Sequence, residues 1–265
     1  MNDAGAVSAD DLEGPYHETL STSASAADKH KRWPSSRGVA PALSWRRFQE
    51  LRSIFMTKSM SPEQALQIAE HQRRCFNELV DVFDTPQPAE VMARLQEIVS
   101  AAGLASGEIV LDVGTGAGIL VPLIAACHPS EIWACDLSEE MLERVKQKYA
   151  LVRTYRADIA LLALPSDSVD VIFMNAMYGN IADKPSACRN AARMLRLGGR
   201  LVVSHPEGRA FVDQLRDASD LFLESLPTRE EFETILGPLG LNVTVYRDEP
   251  KLYLMVAEKT QLPVR

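Results

Sequence analysis

Ile109-Val110-Leu111-Asp112-Val113-Gly114-Thr115-Gly116-Ala117-Gly118-Ile119 decides the fold. Branched apolar residues lead up to an acid, the pattern of a parallel strand buried on both faces. Leu120-Val121-Pro122-Leu123-Ile124-Ala125 then reads as a helix. Between strand and helix, Gly114, Gly116 and Gly118 open backbone conformations closed to other residues and let a ligand lie against the main chain near a helix N-terminus. The arrangement is a nucleotide-type cradle.

The spacing narrows the nucleotide. A dinucleotide fold needs G-x-G-x-x-G, whose third glycine allows close helix packing, whereas here that glycine comes one residue early and Ile119 stands in its place. The next strand, Glu131-Ile132-Trp133-Ala134-Cys135-Asp136, ends in an acid 18 residues beyond Gly118. A carboxylate placed there accepts both hydroxyls of an adenosyl ribose. A G-x-G-x-G turn preceded by an acid resembles the first motif of class I S-adenosylmethionine (SAM) dependent methyltransferases.

Further stretches carry the same resemblance, from about Phe76 to Ala257. Asp136-Leu137-Ser138-Glu139-Glu140-Met141-Leu142 is similar to the family's D-x-S-x-x-M-L. Leu164-Pro165-Ser166-Asp167-Ser168-Val169-Asp170 is similar to its L-P-F-x-D-x-x-F-D, and Leu195-Arg196-Leu197-Gly198-Gly199 to its L-K-P-G-G, with Leu197 replacing proline. The run Arg73 to Asp84 resembles the segment ahead of the core in ubiquinone and menaquinone biosynthesis methyltransferases, with Phe83 where that group has a tyrosine. The resemblance implies SAM as cofactor. It sets Asp112 near the methionine end, and Gly114, Thr115, Gly116 and Gly118 against the ribose and methionyl part. It sets Asp136 with Leu137 at the adenosyl ribose, Asp158 with Ile159 at the adenine amine, and Asn175 beside the transferred methyl. No metal is expected.

Composition bounds the rest. The 265 residues, 46% hydrophobic and 24% charged, suffice for one full α/β core. A formal charge of −8 works against a protein that holds nucleic acid through phosphates. Cys75, Cys127, Cys135 and Cys188 lie far apart with no C-x-x-C pair, which points away from zinc ligation and a disulfide framework and toward a reducing, cytoplasmic setting. No apolar run approaches the roughly 20 residues of a membrane span. Residues 1–58, rich in Ala, Ser, Asp and Pro, read as a disordered extension, 59–106 as N-terminal helices, and 107–260 as the methyltransferase domain. The oligomeric state has no signature here.

Ser61-Pro62-Glu63 reads as a helix start, with Ala65, Ile68, Phe76, Leu79, Val80 and Phe83 as an apolar stripe to about Phe83. A second helix is expected over Pro88 to Ala102. Ser138 caps a helix with Glu139 and Glu140 in its first turn, and the third strand falls at about Val152 to Tyr155. A helix from Ala187 to Leu197, ended by Gly198-Gly199 as a glycine C-cap, should lead into a fifth strand at Arg200 to Ser204. After a capped helix at Thr228 to Leu236, strands at Leu241 to Tyr246 and Leu252 to Ala257 form an antiparallel hairpin. With the resemblance, this gives an α/β fold: a Rossmann-like, seven-stranded, mostly parallel sheet closed by a C-terminal antiparallel hairpin, with helices on both faces.

The fourth strand ends at Met174-Asn175-Ala176-Met177-Tyr178, and the fifth opens into His205-Pro206-Glu207. Asn175, Tyr178 and His205 are expected to converge at the carboxyl edge, with Tyr178 in the catalytic set and His205 either a general base, with Glu207 orienting it or touching substrate, or a residue that bonds backbone at the strand end. The function expected is methyl transfer from SAM to a small-molecule acceptor. One alternative is an amino methyltransferase acting on a nucleobase or protein, since Asn175 and Tyr178 keep the outer residues of N-P-P-Y. Another is a SAM-binding regulatory or assembly module without catalysis.

Overall fold

The computed structural model describes residues 61–218 and 221–261. The expected extension at 1–58 lies outside the described residues. Ser61 caps α1 (Pro62–Glu78): its hydroxyl accepts from the Gln64 amide while the Gln64 side chain accepts from the Ser61 amide. The helix stops at Leu79 and resumes as the single turn α2 (Val80–Phe83), so the expected helix to Phe83 is broken in two. Only Ala69 and Gln72 of α1 are buried; the apolar stripe is half-covered. Arg144 and Lys148 both bind the Asp84 carboxylate, and Arg144 reaches Asp81, which pins the end of α2. α3 (Ala89–Ala101) then buries Val91, Leu95, Ile98 and Val99.

The sheet is built from β1 (Ile109–Val113), β2 (Glu131–Asp136), β3 (Arg153–Arg156), β4 (Val169–Asn175), β5 (Leu195–His205), β6 (Leu241–Glu249) and β7 (Leu252–Lys259). Their order is β3-β2-β1-β4-β5-β7-β6, with parallel pairs up to β5 and antiparallel pairs β5·β7 and β6·β7. The seven-stranded sheet and its closing hairpin are as expected. The chain runs outward through β1, β2 and β3 and then returns to place β4 beside β1, so the switch point opens between β1 and β4.

Alternation along each strand feeds two cores. Leu111, Val113, Trp133, Cys135, Ile172 and Met174 face one, covered by α6 (Lys184–Met194) and α8 (Arg229–Leu236). Val110, Ile132, Ala134, Val171 and Phe173 face the other, covered by α3, α4 (Val121–Ala125) and Val145 of α5 (Glu139–Lys148). The helix expected to reach Leu197 ends at Met194, and β5 begins at once. Gly198-Gly199 is therefore no helix cap. It lies in an irregularity of the β4·β5 ladder, where Val169 pairs with Leu195 but Val171 pairs with Arg200. Arg196 from that excursion forms a two-bond ion pair with Asp170.

α8 begins with a reciprocal cap: the Glu231 amide donates to Thr228 Oγ1 at 3.2 Å and the Thr228 amide to Glu231 Oε2 at 2.7 Å. Thr228→Ala is expected to cost about 1 kcal/mol in urea unfolding, because the Glu231 amide at the helix end loses its acceptor. An unchanged midpoint would show that Phe232 and Leu236 alone hold the helix.

Candidate cofactor and methyl-transfer site

Asp112 lies near the end of β1 and Asp136 ends β2, and alternation puts both side chains on the α3 face of the sheet. Asp112 is 2% exposed and accepts from Thr115 Oγ1 at 2.7 Å. Burial pushes its carboxyl up to about 7, and the neighbouring Asp136 charge adds to the effect. Asp136 reaches across the turn: Oδ2 accepts from the Gly116 amide at 3.0 Å and Oδ1 from the Ser138 amide at 2.9 Å. Burial raises its pKa too, against the lowering by those backbone donors. Among the described residues, neither carboxylate forms an ion pair with a lysine or arginine. One buried and one half-buried acid without a cation suit a ligand that brings positive charge and hydroxyl donors.

Two of the three glycines answer to the chain's own packing. A Cβ at Gly114, whose φ is +64°, would meet Met177 Cβ at 2.7 Å; one at Gly118, at φ +84°, would meet the Tyr149 ring at 2.8 Å. Gly116, at φ +54°, has nothing within 4 Å of its would-be Cβ. It presents bare backbone to open space beside Asp136, the position a ligand would use. Beyond β3, Asp158 Oδ1 accepts from the Ala160 amide at 2.8 Å, and burial raises its pKa. Ile159, next to it, is buried, and Leu137 follows Asp136 directly.

The cover helix joins this edge. Ser138 Oγ donates to Asn77 Oδ1 at 2.6 Å, and Arg73 of α1 binds Glu139 at 2.5 Å. Arg73 and Asn77 belong to the run singled out in the sequence by its resemblance to the segment ahead of the core, with no contact to this edge expected from it. The signal lay in their mixture with Phe76, which stacks edge-on against Phe83 at 5.8 Å.

The acceptor side departs from expectation. Asn175 and Ser204 are register partners and share the α3 face, where Ser204 Oγ donates to Asn175 Oδ1 at 2.9 Å. His205, one residue on, faces the opposite layer with its partner Tyr253. Tyr178 is wholly buried in that layer, its ring against Phe232 and its hydroxyl 3.7 Å from Cys188. Burial drives the phenol pKa up. Convergence of Asn175, Tyr178 and His205 is thus overturned by strand alternation: one points to each core, and Tyr178 is a core residue.

His205 does not have the makings of a general base either. Its Nδ1 accepts from the Glu207 amide at 3.2 Å, which fixes the proton on Nε2, and burial lowers its pKa to about 4. The Glu207 carboxylate does not orient it; Arg94 of α3 takes that carboxylate at 2.7 Å and the Pro206 carbonyl at 2.5 Å. A depressed folded value means stability is fully present above the unfolded pKa near 6.5 and is lost as pH falls toward 4. Urea unfolding at pH 7 and pH 5 should show this loss in the parent and a smaller one in His205→Gln. Equal losses would place the histidine's titration elsewhere. Asp112, raised to about 7, works in the opposite sense in both proteins and cancels in the comparison.

Ala176 bears on the amino methyltransferase alternative. Its φ is +55°, which proline, fixed near −65°, cannot adopt. The edge therefore has a different backbone from an N-P-P-Y turn, and the Asn175 side-chain oxygen already accepts from Ser204.

Residues 111–203 match the methyltransferase domain family. The fold is that of the class I SAM-dependent methyltransferases. A SAM-dependent methyltransferase of Aquifex aeolicus superposes with a TM-score of 0.57 at 22% identity, over 69% of this chain and 98% of that one. The Haloferax volcanii methyltransferase structure solved as a complex with the Trm112 activator gives 0.61 at 16%, over 70% and 98%. In sequence, the demethylmenaquinone methyltransferase of Tropheryma whipplei is 31% identical over 151 residues, 53% of this chain and 61% of that protein. A probable SAM-dependent methyltransferase of Mycobacterium tuberculosis is 35% identical over 102 residues. The match spans only 37% of that relative's length. This methyltransferase fold implies SAM as cofactor, and the unpaired carboxylates and the open Gly116 fit it. Among the described residues no helix is long and apolar enough to cross a membrane, and no cluster of three or more His, Cys, Asp or Glu is placed to hold a metal.

Proposed function

We propose that the chain transfers the methyl group of SAM to a small-molecule acceptor. The observation that carries this reading is a pair of carboxylates without a cation, buried Asp112 and half-buried Asp136, flanking a glycine turn whose middle residue faces open space. Asp136 would hold the ribose hydroxyls with the lone pairs left free by Gly116 and Ser138, and Asp112 with Thr115 would lie toward the methionine end. Gly114, Gly116 and Gly118 would line the ribose and methionyl part, Leu137 the ribose, and Asp158 with Ile159 the adenine. Asn175 would stand beside the methyl group.

The sulfonium supplies a methyl group already activated for displacement. The protein's part is then to exclude water and align an acceptor in line with it, a contribution of orientation rather than proton transfer. The neutral, backbone-bound His205 agrees with a site that works by alignment. The net charge of −8 favours a small acceptor over a polyanion. The likeness to a demethylmenaquinone methyltransferase and to the UbiE C-methyltransferase of Marinomonas, 31% identical over 120 residues, supports an acceptor of the ring-bearing metabolite class.

The full chain incubated with methyl-labelled SAM and, separately, low-mass metabolite, RNA and protein extracts tests the proposal. Label is expected in the low-mass fraction with an equal release of S-adenosylhomocysteine. Label confined to RNA or protein would favour amino transfer to a macromolecule, and binding without turnover would favour a regulatory module.

A further inference from the structure

The segment 221–227 crosses from α1 to the turn that leaves β4; its far end is held at the Pro227 carbonyl, which accepts from Arg209, Tyr246 and Tyr253, and its near end by two backbone groups. The Phe222 carbonyl accepts from Gln72 Nε2 at 2.8 Å and from Asn180 Nδ2 at 3.2 Å. The Glu224 amide donates to the Gly179 carbonyl at 2.9 Å. Lys184 completes the junction: its ammonium lies 5.7 Å from the ring centres of both Tyr178 and Phe222, donates to the Ile181 carbonyl at 2.8 Å, and pairs with the Glu224 carboxylate. A Cβ at Gly179 would sit 2.7 Å from the Glu224 carbonyl, so the approach is as close as glycine permits.

Gln72 is 2% exposed on a helix that is otherwise half-open to solvent. The same helix is tied at Asn77 to Ser138, two residues after Asp136. In the sheet β1 lies between β2 and β4, so a helix tied at Asn77 to the turn after β2 and at Gln72, through Phe222, to the turn after β4 bridges two strands that flank β1. The lengths agree. Five helical residues rise about 7.5 Å, against about 9.6 Å for two strand spacings, and the side chains of Gln72 and Asn77 cover the difference.

We propose that Gln72 is a positioning residue of the methyl-transfer site: through the Phe222 carbonyl it latches the 221–227 strap and α1 into one cover spanning the cofactor edge at β2 and the acceptor edge at β4. It touches neither ligand. The cover makes the two edges open and close together, because a bond at each end of one short helical span cannot be released without loosening the other. This rests on the reading that the β1–β2 edge holds the cofactor.

Hydrogen exchange on the full chain, with and without S-adenosylhomocysteine, tests it. Gln72→Ala removes the donor, and Gly179→Ala pushes the strap by steric contact from the other side. Each is expected to raise amide exchange about 10-fold in both α1 and 221–227, as loss of one buried hydrogen bond allows. Each should also speed dissociation of S-adenosylhomocysteine by a similar factor, a readout that a merely structural contact would leave alone. Faster exchange in one segment without the other, or an unchanged dissociation rate, would overturn the latch. If S-adenosylhomocysteine failed to bind the parent chain, the cofactor reading would fall, while the exchange comparison would still decide whether the two segments are latched.

Discussion

Asp136→Ala is expected to weaken SAM on the order of 100-fold or more. Two effects add. The variant removes the carboxylate that would take the ribose hydroxyls, each such charge-assisted bond being worth roughly 1.5–3 kcal/mol. It also leaves the Gly116 and Ser138 amides without their acceptor, so the glycine turn loses the strut that holds it toward β2. Asp136→Asn, which keeps the shape and one acceptor oxygen, should fall between the two. Titration calorimetry reads all three proteins, and parent-like affinity in Asp136→Ala would remove the ribose assignment.

Gly208→Ala should be the most damaging single substitution for stability on the acceptor side, at about 3 kcal/mol. Gly208 begins α7 (Gly208–Ala218) at φ +76°, a conformation that costs an L-residue roughly 1–2 kcal/mol. Its added Cβ would lie 2.8 Å from the Pro250 carbonyl and 2.9 Å from that of Glu249. Both are backbone atoms of the β6–β7 turn, so no flexible side chain can give way, and overpacking adds roughly 1–3 kcal/mol. Urea unfolding gives the value. A loss under about 0.5 kcal/mol, the range of an ordinary surface substitution, would mean that the hairpin moves freely against the His205–Gly208 turn.

The cradle was legible because its signals are local. An apolar run, an acid and glycines at fixed spacing constrain the backbone within a dozen residues, and Asp136 follows from the next strand's end. The closing hairpin was legible for the same reason, being two apolar runs around a turn. What the sequence concealed depends on register and on tertiary context. Leu197-Gly198-Gly199 has the residues of a helix end, yet the helix gives way at Met194 because Leu195 already pairs with Val169. His205 and Asn175 both sit at strand ends, but a one-residue offset in register sends them to opposite layers. Tyr178 lies beside the predicted edge in sequence and inside the α6–α8 core in space. Gln72 carries no sequence signal and Asn77 only its place in the run Arg73 to Asp84: their contacts are with partners 150 and 61 residues away.

On the proposed reading the acceptor edge would be formed by Asn175 and Ser204 on the sheet, with Met177 over Gly114 and Arg94 bracing the Pro206-Glu207 turn. None of these groups is placed to move a proton at neutral pH through a titrating imidazole. Turnover is therefore expected to show no inflection near pH 6.5 from His205, and its rate should follow the ionisation of the acceptor itself.

A crystal structure of the full chain with S-adenosylhomocysteine tests the central claim most directly. The account predicts the ribose hydroxyls on the Asp136 carboxylate, the methionyl part along Gly114 to Gly116, and α1 closed above them with Asn77 still on Ser138. A ligand bound elsewhere, or a ribose that leaves Asp136 to its backbone partners alone, would contradict it.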